Sequence, residues 1–452
     1  MIKRTGLTET PKPKTDLDSR ERLLNVLKPA VTQKLSRPTG DGFESKATAT
    51  SQKLARVTGG GETTGTGALP PAVREKLSPA ELAQANKVLS GSVSPHAKQD
   101  LEELVGSVGF RTLDADVQVR LVQSVLSEPK SSLQNARLTE LVASPGFRAL
   151  PPAQQQKAIK TFEVCDPKGQ GKLLDLAKRN VEGQPALLDK DAEGVALLDR
   201  LHSLATDPLN ENFERHGIDR EELLASILQE CSKPGQINQD GHNTCTATSM
   251  QYLLCDQNPA EYVRLMEGLL SGDGKVEMRG GQTLKLEQDS IAPDSSTRRS
   301  ASERVFQSAM MEYANGGESY STTDDQSRGK KLWLFDYSHE GLNADAQERG
   351  LEALFGRDYK QHNGEVIGLV TERSPEDTYV RMSWGEGKEG GHAVVATRVE
   401  DGRVYFRNPW GPTGDKAGTT YEDPPRRLEN PSIREESMTV EEFEAWCKGA
   451  IV

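Results

Sequence analysis

The sequence predicts an α+β fold for roughly the last half of the chain, behind an all-α repeat region and a disordered N-terminal tail. Three observations lead there. Residues 1–70 are rich in Thr, Gly, Pro, Lys and Ser, and the run Thr58-Gly-Gly-Gly-Glu-Thr-Thr-Gly-Thr-Gly offers no apolar side chain to bury. Residues 71–230 carry apolar residues at helical spacing and a near-repeat of about 37 residues. From about Gly235 helical patterns come first and alternating strand patterns follow, the order of an α+β domain.

The bulk composition fits this division. A chain of 452 residues with 35% hydrophobic content is long enough for two or three cores, while only 5% aromatic content leaves part of it unpacked. The net charge of −12 argues against a general nucleic-acid binder, because phosphate affinity needs a positive field. Residues 1–60 hold 12 Lys and Arg against 6 Asp and Glu, so a basic arm precedes an acidic body. Such an arm reads as a solvated tail, an address or a partner-binding segment.

In the tail, at most a short helix near Ser19–Leu27 is expected. Its start, MIKRTGLTETPKPK, has no apolar core of a secretory signal, and no run of about 18 apolar residues suggests a membrane span. A cytoplasmic protein and one exported without a classical signal peptide fit equally.

In the all-α region, 71–230, Leu104-Val-Gly-Ser-Val-Gly-Phe-Arg-Thr-Leu113 matches Leu141-Val-Ala-Ser-Pro-Gly-Phe-Arg-Ala-Leu150, and Gln118 and Gln155 keep the same offset. Leu77-Ser-Pro-Ala-Glu-Leu extends the pattern upstream and Leu187-Leu-Asp-Lys-Asp-Ala, more weakly, downstream. Each unit reads as a helix, a Gly-Phe turn and a second capped helix, and such units must stack to bury their apolar faces. The region is expected to bind a protein partner, to occlude a neighbouring site, or to act as a spacer. Asp189-Lys-Asp-Ala-Glu-Gly begins like a calcium loop, but Arg200 stands where a bidentate Glu is required, so a repeat-start helix cap is expected instead.

In residues 235–452, a Gly/Asn/Gln-rich loop leads into a helix from Cys245 to about Leu254, with further helices at 259–270, 300–315 and 343–355. Gly316–Lys331 reads as a polar loop. Strands dominate from about 364 to 408, and Thr439–Lys448 reads as a helix capped by Thr439.

Five cysteines, at 165, 231, 245, 255 and 447, show neither paired nor zinc-type spacing, so no disulfide framework, metal or other cofactor is expected. Cys245 is set apart by its place in a helical first turn, where backbone N–H groups and the dipole favour a thiolate. Gln239, six residues earlier, is placed to fold back so that its amide and the Cys245 N–H form an oxyanion hole. By itself Cys245 reads first as a small buried apolar residue, as most cysteines are, and its partners change that.

Its partners come from Gly390-Gly-His392 and Arg407-Asn408-Pro-Trp-Gly411, on two strands joined by Glu400-Asp401-Gly402. That tripeptide suits a three-residue hairpin loop with a bulge. The register then pairs Val394 with Asn408 and puts His392 one diagonal step from Asn408, within reach of a side-chain hydrogen bond. A two-residue loop would put the pair on opposite faces. Asn408 would orient the His392 ring towards the thiol, Trp410 would cover their bond from water, and the two glycines would allow close approach. His242, Cys255, Trp333, Trp384 and Trp446 read as loop or packing residues.

The order Gln239, Cys245, His392, Asn408 resembles the papain superfamily of cysteine peptidases, with Gln–Cys and His–Asn gaps that agree with papain-type enzymes. Arg407-Asn408-Pro-Trp-Gly411 and Ser437-Met-Thr-Val-Glu-Glu-Phe-Glu-Ala-Trp446 are similar to the calpain-type version. The resemblance covers about 236–452. It implies a papain-like two-lobed fold, helical lobe plus antiparallel β lobe, with Cys245 as nucleophile, His392 as base, Asn408 as orienting residue and Gln239 in the oxyanion hole. The implied function is a cysteine endopeptidase acting on a protein or peptide substrate, with self-cleavage around 220–240 as a further option. Thr246 departs from the Trp that usually follows the nucleophile, no papain-type pro-region is present, and calpain calcium sites cannot be matched. Two other readings stay open: a glutamine deamidase or transglutaminase-like acyl transferase on the same machinery, and a non-catalytic scaffold with a degenerate peptidase domain.

Overall fold

A computed structural model describes residues 68–127, 131–291, 298–316, 319–323, 325–328, 338–339, 341–374, 376–384, 390–411 and 425–452. The N-terminal segment to residue 67, where a short helix is expected, and Trp333 lie outside these residues. All described residues fall in one compact unit. Leu69 is already buried, so packing starts slightly before the expected boundary at 71.

The repeat is real at the level of helices. Pro95–Gly106, Val108–Arg111 and Ala115–Ser127 recur as Ser132–Ala143, Pro145–Ala149 and Pro152–Val164. Ser107 and Ser144 cap the short helices by accepting from the N–H groups of Phe110 and Phe147 at 3.1 and 3.3 Å. Both phenylalanines are fully buried. The Gln118 and Gln155 side chains donate to the carbonyls of those phenylalanines at 2.8 and 3.3 Å, which explains why the glutamines keep the repeat's offset. Gly146 lets one unit settle on the next: a Cβ there would lie 2.4 Å from the Ala177 carbonyl oxygen.

Upstream, Ser78 and Glu81 form a capping box on Pro79–Leu89 as the pattern suggests. Downstream the pattern fails. The Leu187 segment forms a 3-10 turn, Ala186–Leu188, after a short hairpin. Asp189 accepts from the Ala260 N–H at 2.9 Å, capping a distant helix and not one that starts a repeat. Asp191 holds its own loop by accepting from the N–H groups of Glu193 and Val195, and pairs with Arg200 at 2.6 Å. The arginine that breaks the calcium pattern is thus the counter-charge of this loop.

The C-terminal half is a helix cluster against a sheet. Its helices are α1 (Cys245–Gln257), α2 (Pro259–Leu270), α3 (Ala301–Ala314), α4 (Ala344–Phe355), α5 (Val366–Arg373) and α6 (Val440–Trp446). The first four match expectation to within a few residues. The strands are β1 (Gln361–His362), β2 (Thr378–Trp384), β3 (Gly390–Glu400), β4 (Arg403–Arg407), β5 (Arg427–Asn430), β6 (Glu435–Thr439) and β7 (Cys447–Ile451). They form one antiparallel sheet in the order β5-β6-β4-β3-β2-β7-β1.

Three expectations need correction here. Residues 366–373 are helix, because Val366 and Val370, one turn apart, plug the far face of the sheet. The chain also leaves α6 directly into β7, a strand not expected, which runs beside β2. The segment Gly316–Lys331 is not wholly loop: Ser319–Ser321 and Gln326–Arg328 pair as strands.

Tyr379, Ala393, Val395 and Ile451 belong to the core shared with the helices. Alternate residues, among them Val380, Met382, Val394, Ala396 and Phe406, belong to a second core with α5 and α6. Helix α1 is buried along nearly its whole length and docks on the first face, where Ser249 Oγ donates to the Ala393 carbonyl at 3.3 Å.

Candidate active site

The hairpin that carries His392 and Asn408 differs from expectation in its turn and agrees in its outcome. Asp401 and Gly402 both have positive φ, 51° and 72°, and Glu400 pairs with Arg403. This is a two-residue turn of the primed kind. By itself it would put His392 and Asn408 on opposite faces. A bulge at Thr397, between Ala396 and Arg398, restores the parity, and Val395 pairs with Arg407. The register at the site end is therefore the expected one, and His392 Nε2 lies 3.1 Å from Asn408 Oδ1.

The polarity of that bond can be assigned. Asn408 Nδ2 donates at 3.0 Å to a carboxylate oxygen of Glu436, which only accepts. Asn408 Oδ1 must then face His392, and it also accepts from the Trp410 N–H at 3.3 Å. The Nε2 position of His392 therefore carries the proton, and Nδ1 keeps a lone pair. Glu436 is itself clamped by Arg426 at 2.9 Å and Arg434 at 2.6 Å, all three side chains being buried.

Aromatic rings enclose the imidazole. Its centroid is 4.5 Å from Trp384 and 5.2 Å from Trp410, and the two indoles meet edge to face at 5.2 Å. Trp410 lies beside the imidazole, and its backbone N–H reaches Asn408 Oδ1 at 3.3 Å. Trp384 packs directly on the histidine, so it belongs to the site and is more than remote packing. Burial in this cage lowers the His392 pKa to about 4, with the Asn408 bond opposing and the Arg426 charge adding to the shift. The ring is neutral near pH 7.

Cys245 opens α1 and remains partly exposed. Its thiol is pushed up from the ordinary value, burial being the largest cause. The Ala393 amide, next in chain to His392, opposes this, as do the Thr246 hydroxyl and the local backbone amides. The helix start therefore softens the cost of a thiolate without overcoming it. Among the described residues no hydrogen bond joins the thiol to His392. A Cβ at Gly391 would meet nothing within 4 Å, so space is open beside the histidine.

The loop before Cys245 is tied to both layers. The Gln239 N–H donates to the Pro409 carbonyl at 2.8 Å, and the Asn238 N–H to Glu303 at 2.9 Å. Gly411, with φ of 71°, packs so closely that a Cβ would lie 2.1 Å from Asn238 Cβ. On the other side Asn243 donates to Asp325, so the hairpin at 319–328 braces this loop. The Gln239 side chain donates to the His242 carbonyl at 2.6 Å, leaving the second N–H of its amide for another acceptor. His242 is a buried member of the loop.

The structure thus joins His392 to Asn408, ties the Gln239 backbone to the 408–411 turn, and sets Cys245 against Ala393, the residue next to His392. Sequence reasoning missed Trp384, Arg426, Arg434 and Glu436. One signal was available for Glu436: it shares strand parity with Met438, a core position, so its charge had to point inward and find partners. No profile of a known protein family matches the chain, and comparisons with curated proteins and with solved structures also found no match.

Proposed function

We propose that the chain is a cysteine endopeptidase with a papain-like catalytic domain, cleaving peptide bonds through Cys245, His392 and Asn408. The observation that carries this reading is the directed chain Glu436–Asn408–His392. It fixes the proton on Nε2 and leaves Nδ1 as the base, in a ring held neutral at physiological pH. The helix cluster bearing Cys245 and the sheet bearing His392 fit the two lobes of such a domain.

In this mechanism His392 Nδ1 takes the thiol proton as Cys245 sulfur attacks the substrate carbonyl. The free N–H of Gln239 and the Cys245 backbone N–H stabilise the resulting oxyanion. The proton passes from Nδ1 to the leaving amine as the C–N bond breaks, giving a thioester. Water then attacks the thioester, His392 accepting its proton and returning one to sulfur, and the acid product leaves. The resting site lacks a thiol–imidazole hydrogen bond, and such bonds commonly tighten only in the substrate complex.

The repeat region meets the far end of α1, where Arg179 donates to the Cys255 and Asp256 carbonyls at 2.8 and 2.7 Å. That contact is ten residues from Cys245, about 15 Å along a helix. It favours a scaffolding or recruiting role over occlusion of the cleft. Incubation with a peptide library followed by mass spectrometry tests the activity. New amine termini that vanish in Cys245→Ala are expected, whereas a one-dalton gain on glutamine would assign deamidation instead.

A further inference from the structure

Behind the candidate site, a cleft of about 260 Å³ is lined by Lys233, Tyr252, Asp256, Thr397, Arg407 and Glu435, among others. Arg407 immediately precedes Asn408 and is 2% exposed. None of its three guanidinium nitrogens has a hydrogen-bond partner. It sits over the face of Tyr252, with the guanidinium carbon 5.1 Å from the ring centroid. The other charges of the cleft are already matched. Lys233 pairs with Asp175 at 2.7 Å, Asp256 with Arg179 at 3.0 Å, and Glu435 with Arg398. The Tyr252 hydroxyl donates to Asp377 at 2.8 Å.

One positive charge is thus left over, inside the protein, at the wall of a cleft. A buried charge without a partner is strongly unfavourable, and burial pushes the Arg407 pKa down to about 10, which still leaves it charged at neutral pH. We infer that the Arg407 cleft is a binding site for a monoanionic carboxylate, held by the planar guanidinium. The fork of N–H donors matches a carboxylate in bidentate fashion. A dianion such as phosphate is disfavoured because Asp256 and Glu435 line the same cleft. Two sources share this chemistry: a small free carboxylate and the C-terminal carboxylate of a peptide. The assignment is independent of the reading of Cys245.

Thermal unfolding of the full chain at pH 7 tests it, with sodium acetate replacing sodium chloride at constant ionic strength. Acetate should raise Tm saturably, by about 2 °C at ten times its Kd for a unit of this size. Arg407→Met should abolish the response and raise the ligand-free Tm, since it removes an uncompensated charge. Thr397→Leu, which fills the cleft and leaves the guanidinium, should weaken the response and serves as the test if the first variant does not fold. Acetyl-dialanine competing with acetate, where its amide does not, would identify a peptide terminus as the source. Failure of both peptides to compete, with the acetate response intact, would identify a small free carboxylate. Equal effects of acetate and chloride on the wild type, a Thr397→Leu response equal to wild type, or a stronger response to phosphate than to acetate would overturn the assignment.

Discussion

The Asn408 side-chain amide donates to the buried carboxylate of Glu436 at 3.0 Å, and this contact sets the direction of the bond between Asn408 and His392. With Nδ2 committed to an acceptor, Oδ1 faces His392, and the imidazole must present Nδ1 to its open side. Two arginines hold the carboxylate in place. The orienting device is therefore a small buried network that reaches from β6 through the 408–411 turn to β3.

Replacing Glu436 tests that device. Glu436→Ala leaves two buried guanidinium groups without their counter-charge, and breaking such a network costs about 3–5 kcal/mol. Urea denaturation should show a loss of that order. In Glu436→Gln the amide oxygen can still accept from Asn408, so a smaller loss is expected, with the Nε2–H resonance of His392 retained. Alkylation of Cys245 should slow by about tenfold or more in Glu436→Ala, equivalent to about 1.4 kcal/mol.

His392 makes acid stability a second test. Its folded-state pKa of about 4 lies below the ordinary 6.5. The unfolded chain takes up a proton below about pH 6.5 and the folded chain does not until near 4. The contribution is therefore complete above pH 6.5 and is lost as pH falls towards 4, amounting to about 3 kcal/mol at most. In urea titrations His392→Gln should lose less stability than wild type between pH 7 and 4. Imidazole-assisted alkylation of Cys245 should persist below pH 5.

Two buried carboxylates act in the opposite direction. Glu230 and Glu303 are held well above the usual carboxylate range by burial, and both accept from Ser300, Glu230 from its hydroxyl and Glu303 from its backbone N–H. Groups raised in this way stabilise the fold fully below pH 4.5, and that contribution is lost as pH rises through their shifted values. The contribution of these two groups should decline between about pH 4.5 and 8, and Glu303→Gln, neutral at every pH, should flatten that decline. Because Glu303 accepts from the Asn238 N–H, Glu303→Ala should also loosen the Gln239 loop, read as faster amide exchange there.

Stacking of the repeats rests on Gly146. Gly146→Ala forces a Cβ against the Ala177 carbonyl oxygen and should cost about 1–3 kcal/mol or more in thermal unfolding. Gly106→Ala, where a Cβ meets nothing within 4 Å, should be neutral or mildly stabilising.

Helices α1 to α4 were legible because each is a periodic apolar run with clear ends, such as the Ser300–Glu303 capping box on α3. The pairing of His392 with Asn408 was legible because both sit in short segments on two strands joined by a tight turn. The turn at Asp401-Gly402 was misread, since Glu-Asp-Gly fits either loop length and the bulge at Thr397 carries no local sequence signal. Strand β7 was hidden because its apolar residues only make sense beside β2, some 70 residues earlier. Arg426 and Glu436 meet only through tertiary folding, and neither has the spacing of a motif.

The most direct test is covalent labelling of the purified protein with an epoxide or vinyl-sulfone inhibitor, mapped by mass spectrometry beside Cys245→Ala and His392→Ala. A single adduct on Cys245 that is lost in both variants is the expected result. Buried Cys165, whose thiol is pushed up to about 12, should stay unmodified. Labelling spread over Cys165, Cys231 and Cys447, or none at Cys245, would contradict a working thiol–imidazole pair.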